Sequence, residues 1–353
     1  MFAFVCWTPY QVFNAVNFVL SDVEGSRGNA DIFVYHDFGN SRALSEALKK
    51  SNVFNNVYDI RCYDKRRKLW YSKFLKFKRL LTPYSTLCHF LESDIDVRKK
   101  GYKTLLISGN NLFSINMYNS IKDLQVYFTD DGTGTYFGDT RERDITLIYK
   151  VLNKLFDRGP MSYDVKKLYI NNKDICRATI CDEKVQMPRL AAGSEVEQKL
   201  REIFNYKENT AYADNKYIYL TQPLEETAIG KKAIEIENNL LSKIKDSVLV
   251  RVHPRQNIED YSEYSVDTAK NLWELECVGQ IREEHVLIGG YSTAQFGPKL
   301  LFDCEPTVVF TYKLYGTEIY NAAETIELLK NSYRDPSKII VPETIEELEA
   351  IVK

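Results

Sequence analysis

The chain alternates. Short, mostly unbroken apolar runs are separated by longer stretches with helical spacing, and this limits what its 353 residues can fold into. The runs FAFVC (2–6), DIFVYH (31–36), NVYDI (56–60), TLLIS (104–108) and QVYFT (125–129) lack the in–out alternation of a half-solvated sheet. Strands covered by helices on both faces need unbroken apolar runs, so these read as parallel strands of an α/β sheet. Helix-like stretches at 9–20, 40–50 and 111–122 lie between them, and another follows at 143–157. Residues 158–192, punctuated by Gly, Pro, Asn and Asp, read as a connection. A helix is expected to start at Ser194, with Glu197 completing a capping box. The alternation then resumes with YIYLT (217–221), SVLVRV (247–252), HVLIGG (285–290) and TVVFTY (307–312), and a last helix at 344–352 carries Thr344 and Glu347 as a second box.

Two doubly wound halves in tandem are therefore expected, in keeping with about 100–200 residues per domain. Residues 1–157 form a Rossmann-like first domain, 158–215 the connection and the start of the second, and 216–315 a Rossmann-like second domain. The helices of 316–353 are expected to pack back on the first domain. Hydrophobic residues at 44% and charged residues at 27% exclude a disordered chain. A formal charge of −2 gives no global field for nucleic acid. Cys6, Cys62, Cys88, Cys176, Cys181, Cys277 and Cys304 form no CxxC pair, so free thiols in a reducing cytoplasm are expected rather than disulfides or a cysteine zinc site. The start, MFAFVCWTPYQ, has neither a basic n-region nor a long apolar h-region, so no signal peptide is expected, and no run has the ~18–20 apolar residues of a membrane span.

One segment departs from this charge balance. Lys65 to Arg79 carries eight basic residues and no acid, while Trp70, Phe74, Phe77 and Leu81 recur at helical spacing. Such a helix suits an anionic membrane surface. A surface helix that packs its aromatics on the core and solvates its charges fits the same pattern.

Ligands of doubly wound sheets bind beyond the carboxyl ends of the strands, so the residues after each strand carry the chemistry. QVYFT runs into Asp130-Asp131-Gly132-Thr133-Gly134. A turn needs one Asp or Gly, whereas two adjacent carboxylates raise one pKa, as suits a general base. A plain Asx-turn is the competing reading. SVLVRV runs into His253-Pro254-Arg255, a histidine followed by a planar cation suited to phosphate or carboxylate. HVLIGG, ending in Gly290, runs through Tyr291 into Ser292-Thr293 and a helix expected over 293–302, either a candidate anion site or an ordinary Ser/Thr cap. Thr8 to Gln11, Ser108 to Asn111 with Asn110, and Thr221-Gln222-Pro223 are further strand exits, the last followed by Glu225 and Glu226. Walker A and GxGxxG motifs are absent. The DxD tripeptide Asp94-Ile95-Asp96 lies in a charged stretch and reads as solvated surface.

In order and placement these motifs resemble the bacterial sialyltransferases of glycosyltransferase family 52, the lipooligosaccharide and capsule group related to bacterial polysialyltransferases. The resemblance rests on Thr8 to Gln11, on Asp130-Asp131-Gly132, on His253-Pro254 and on Ser292-Thr293, and it spans most of the chain. It implies a GT-B fold, two Rossmann-like domains facing a central cleft, and an inverting, metal-independent transfer of sialic acid from CMP-sialic acid to a galactoside of a surface glycan, with no cofactor. Carried over, the base is Asp131 or Asp130, with Glu226 or Glu225 as a competing assignment. His253 faces the leaving phosphate with Ser292 and Thr293; Arg255, Pro254, Gly290 and Gln222 complete the donor side. Thr8, Gln11, Asn110, Gly132 and Thr133 are assigned to the acceptor side. The implied partners are a nucleotide-sugar donor and an oligosaccharide acceptor, with no nucleic acid. The implied place is the cytoplasm, with peripheral contact through 65–81 at the inner face of the membrane, and a homodimer is open. Two alternatives stand beside this reading: a GT-B enzyme using a UDP or GDP sugar, and a non-catalytic membrane-associated scaffold.

Overall fold

The computed structural model of the protein describes residues 1–61, 82–137, 164–223, 230–316 and 322–352. The basic segment 65–81, the helix expected at 143–157, Cys62, Glu225 and Glu226 lie outside the described residues. The chain divides into two compact units, Met1–Pro188 with Ser194–Phe204 and Arg189–Gly193 with Asn205–Lys353.

The first unit holds seven parallel strands: β1 (Phe2–Cys6), β2 (Ala30–Tyr35), β3 (Asn56–Ile60), β4 (Thr104–Ile107), β5 (Gln125–Thr129), β6 (Val165–Ile170) and β7 (Glu183–Gln186). Their order in the sheet is β3-β2-β1-β4-β5-β6-β7. Helices α1 (Pro9–Leu20), α2 (Ser41–Ser51), α3 (Pro83–Phe90), α4 (Leu112–Ser120), α5 (Thr133–Phe137) and α6 (Glu195–Ile203) connect or cover them. The central strands are buried along their length, as their solid apolar runs require. The strands expected in this half appear within one residue of their expected bounds. Residues 158–192 are not a mere connection, because they supply β6 and β7. Both were hidden by chemistry: VKKLYI interrupts its apolar run with two lysines, and EKVQ is a half-exposed edge strand that has no second face to bury.

The second unit holds a six-stranded parallel sheet of β8 (Tyr217–Leu220), β9 (Val248–Arg251), β10 (Ser265–Val266), β11 (Val286–Gly289), β12 (Thr307–Phe310) and β13 (Ile339–Ile340), in the order β10-β9-β8-β11-β12-β13. Helices α7 (Gly230–Lys243), α8 (Trp273–Gly279), α9 (Gly297–Phe302), α10 (Ala322–Ser332) and α11 (Ile345–Ile351) belong to it. The helix expected over 293–302 is instead a 3-10 turn, Thr293–Phe296, followed by α9. Pro298 has no N–H to give to the carbonyl of Ala294, and that carbonyl takes the Trp273 indole N–H at 2.8 Å.

In each sheet the strand order reverses once, between β1 and β4 and between β8 and β11. These are the switch points at which a doubly wound sheet opens a crevice. The described cysteines are all free thiols. Among the described residues, no helix is long and apolar enough to cross a membrane.

Candidate active site

At the exit of β5 the two adjacent aspartates do different jobs. Asp130 is 1% exposed and its carboxylate is fully engaged. Oδ1 accepts the Gly132 N–H at 2.8 Å; Oδ2 accepts the Tyr136 hydroxyl at 2.8 Å and two donors of Asn171, its N–H at 3.2 Å and its amide at 3.0 Å. The Asp130–Gly132 bond is an Asx-turn, and Gly132 takes the positive φ of 93° that such a turn asks of glycine. Burial pushes the Asp130 carboxyl up, while its four donors pull the other way. Buried and bonded by four donors, Asp130 holds the turn in place.

Asp131 keeps an open face to solvent. Its backbone N–H is held by Thr135 Oγ1 at 3.0 Å and its Oδ1 by the Gln11 amide at 2.9 Å. Protein packed around the carboxylate raises its pKa to about 6; the Gln11 bond opposes the rise and the Asp130 charge adds to it. A carboxylate titrating there is ionised at neutral pH yet basic enough to take a proton.

The TPYQ start is a helix cap before it is anything else. Thr8 Oγ1 accepts the Gln11 N–H at 3.2 Å and Pro9 fills the first turn. Gln11, assigned to the acceptor, is 2% exposed and bonded at both ends of its amide, so it supports Asp131 rather than meeting a sugar. Thr133 is buried at the start of α5. Asn110 stays exposed at the β4 exit, beside Gly109, over which the Trp7 ring closes so nearly that a Cβ there would sit 3.6 Å from it.

In the second unit the switch point is clamped. Gln222 accepts the Tyr291 N–H at 2.9 Å and donates to the Tyr291 carbonyl at 2.6 Å, tying the β8 and β11 exits together. Gly290 makes this possible, since a Cβ there would lie 2.5 Å from Gln222 Oε1 and 3.1 Å from the Tyr315 ring. Thr221 reaches to the β9 exit, where its Oγ1 accepts the His253 N–H at 2.8 Å and donates to Gln256 at 2.6 Å. The Arg255 N–H donates to His253 Nδ1 at 3.2 Å, so in the neutral ring the proton sits on Nε2. Pro254 and the Arg255 side chain are exposed, His253 half-buried. Ser292 is the cap of the 3-10 turn, with its Oγ accepting from Ala294 and its N–H donating to the buried Gln295. Thr293 follows it, exposed. With four residues of 3-10 turn there is little dipole to offer, so the expected helix-terminus contribution shrinks to local donors.

Sequence reasoning missed Asn14, Tyr136 and Asn171 around Asp130. Asn14 had a signal, because Gln11, Asn14 and Asn17 recur every three residues on a helix that is apolar elsewhere; Tyr136 and Asn171 are placed only by the fold.

The sequence matches no family model and no curated protein. Solved structures do resemble it. Arabidopsis thaliana UGT89C1, complexed with UDP-L-rhamnose, is 10% identical, with a TM-score of 0.50 over 99% of this chain and 89% of that one. The Neisseria meningitidis UDP-GlcNAc 2-epimerase bound to UDP-GlcNAc is 10% identical, with a TM-score of 0.49 over 99% and 91%. The spinosyn rhamnosyltransferase SpnG, complexed with thymidine diphosphate, gives 10% and 0.49 over 100% and 91%. The fold is GT-B. At this identity the likeness extends to the architecture, two Rossmann-like α/β units, and no further.

The structure also gathers His36, Asp59 and Glu92 with metal-like spacing. Those carboxylates are already met by Lys49, Ser45 and Arg42, at 2.5–3.0 Å, which describes an ion-pair network rather than a vacancy for a cation.

Proposed function

We propose that the protein is a glycosyltransferase that uses a nucleotide-activated sugar, with Asp131 as its general base. The observation that carries this is the division of labour at the β5 exit: Asp130 is consumed by the turn, while Asp131 has one oxygen held and, among the described residues, one without a partner. In the reaction Asp131 Oδ2 takes the proton of the acceptor hydroxyl. The acceptor oxygen forms the new bond to the sugar's anomeric carbon. The bond from that carbon to the donor phosphate breaks, and the phosphate leaves with the electron pair. The His253 Nε2–H and the Arg255 guanidinium, with the Ser292 hydroxyl, receive the negative charge on the leaving phosphate. Attack from the face opposite the leaving group inverts the anomeric centre. The acid–base step is expected to contribute ~10²–10⁴-fold.

Two donor classes are in play. The fold neighbour that carries UDP-L-rhamnose supports a diphosphate-linked sugar. The Asp130-Asp131-Gly132, His253-Pro254 and Ser292-Thr293 placement supports CMP-sialic acid with a galactoside of a surface glycan as acceptor. Thermal shifts with CMP, UDP, GDP and ADP separate them, since ligand at ~100 times Kd stabilises by ~2.7 kcal/mol. A shift with CMP alone selects the sialyltransferase reading, and a shift with a nucleoside diphosphate selects the other. No shift with any nucleotide, together with vesicle binding that depends on residues 65–81, would replace both by the scaffold.

A further inference from the structure

We propose that Gln11 is the positioning residue of the base: it holds Asp131 Oδ1 so that Oδ2 is the oxygen that takes the acceptor proton. This rests on the reading of Asp131 given above and adds the device that aims it.

The device begins in the sequence of α1, PYQVFNAVNFVL, which is apolar except at three residues spaced by three. Gln11, Asn14 and Asn17 share one face of the helix. All three are buried, and the NH₂ group of each donates away from the helix. Gln11 donates to Asp131 Oδ1 at 2.9 Å, Asn14 to the Asp130 carbonyl at 3.1 Å, and Asn17 to the Pro188 carbonyl at 2.7 Å. Two of the three therefore grip consecutive residues of the β5 exit.

Packing alone gives no reason for this. Burying an amide costs about 1–3 kcal/mol wherever its bonds are incomplete, and Asn14 leaves its Oδ1 buried with no partner. A leucine there would bury more apolar surface and leave no amide oxygen unpaired, but it would take the donor from the Asp130 carbonyl. What the asparagine supplies instead is a fixed height for the Asp130 carbonyl, and so for the residue after it.

The Gln11 amide cannot reverse. Its Oε1 accepts the Trp7 N–H at 2.8 Å, so a flipped amide would set NH₂ against N–H and oxygen against carboxylate. The donor end thus always faces Asp131. A neutral donor on a carboxylate favours the charged form, which opposes the desolvation that drives the group toward protonation. Among the described residues, two titratable groups interact with its charge. Asp130 precedes it and raises it, and the buried thiol of Cys6, at the end of β1, is itself pushed up by burial and then by the Asp131 charge.

The test uses two volume-matched variants of the full chain. Gln11→Met removes the donor; Gln11→Glu keeps an acceptor for Trp7 and faces Asp131 with a second acid. Asp131 is followed directly, by carboxyl-carbon NMR titration with Asp131→Asn identifying its signal, and the pH profile of kcat/KM is measured alongside. Gln11→Met is expected to raise the titration midpoint of Asp131 by about one unit and to move the acidic limb of the rate profile upward by the same amount. It is expected to lower kcat about tenfold and leave donor KM unchanged. Gln11→Glu is expected to raise the midpoint further. An unmoved midpoint in a folded variant overturns the proposal, as does loss of the fold in both, which would assign Gln11 to the core. If the midpoint moves while no nucleotide sugar is turned over, the positioning stands and the transferase reading fails.

Discussion

The two switch points solve one problem, holding a loop still at the end of a strand, by different means. In the first unit buried side chains grip the carboxylates as well as the main chain: Gln11 on Asp131, and Tyr136 and Asn171 on Asp130. In the second the grip is side chain on backbone: Gln222 on both polar atoms of Tyr291, Thr221 on the His253 N–H, Gln295 on the Ser292 N–H. The first arrangement surrounds an ionisable group with protein and so changes its acidity. The second fixes the main chain and leaves Arg255 and Thr293 exposed. A base needs the former treatment and an anion cradle the latter.

The largest expected effect breaks the first arrangement at its exposed end. Asp131→Asn should lower kcat by ~10²–10⁴-fold while leaving the nucleotide Kd within about twofold. It should not destabilise the fold. The folded pKa of about 6 lies above the ordinary 3.8, so ionising Asp131 opposes folding. That opposition is absent below about pH 4 and complete above about pH 6, hence wild-type stability should fall with rising pH across this window, and the variant should lack the step. Melting curves from pH 3.5 to 7.5 check it, and an identical pH dependence in the two proteins would deny Asp131 its altered environment.

Next comes the buried partner. Asp130→Ala strands Tyr136 and Asn171 and should cost about 3 kcal/mol, read as a lower denaturant midpoint. The two neighbouring aspartates should therefore separate: one costs rate without stability, the other stability first. Equal losses of stability in Asp131→Asn and Asp130→Ala would erase the contrast.

In the second unit the corresponding probe is Gly290→Ala. A methyl 2.5 Å from Gln222 Oε1 must push the clamp off Tyr291, for a loss of about 1–3 kcal/mol. In a Gln222→Ala background the same change should cost less, because the atom it strikes is gone. Additive losses in that double-mutant cycle would mean that Tyr315, not the Gln222 clamp, is what the glycine accommodates.

The sequence showed most of this frame because both sheets are built from strands buried on two faces, whose solid apolar runs need no context to read. It failed at β6, whose run is broken by two lysines, and at β7, β10 and β13, which are edge strands of only two to four residues. At the β5 exit the two adjacent residues part company: the Asx-turn belongs to Asp130, while Asp131 keeps an exposed carboxylate. Nothing local could divide them, since the division is made by Asn171, some forty residues on, and by a helix that precedes both. Gln11 was legible as part of a motif but not as buried; the polar spacing of α1 was the available sign.

The smallest effect tests whether the second arrangement is as open as it looks. Arg255 is exposed, and an exposed charge contributes about 0.2–1 kcal/mol to a contact, so Arg255→Gln should weaken nucleotide binding only about 1.5–5-fold. The loss should depend on salt. Between ~0.1 M and ~1 M the screening length falls from ~10 Å to ~3 Å, and the wild-type and variant affinities should converge. The titration of Asp131 should not move at all in this variant, because its protonation is set within the first unit. Calorimetry at the two salt concentrations, paired with the carboxyl titration, gives both readings. A large, salt-independent loss would place the guanidinium in a dry contact with the phosphate, and the second switch point would then work more like the first.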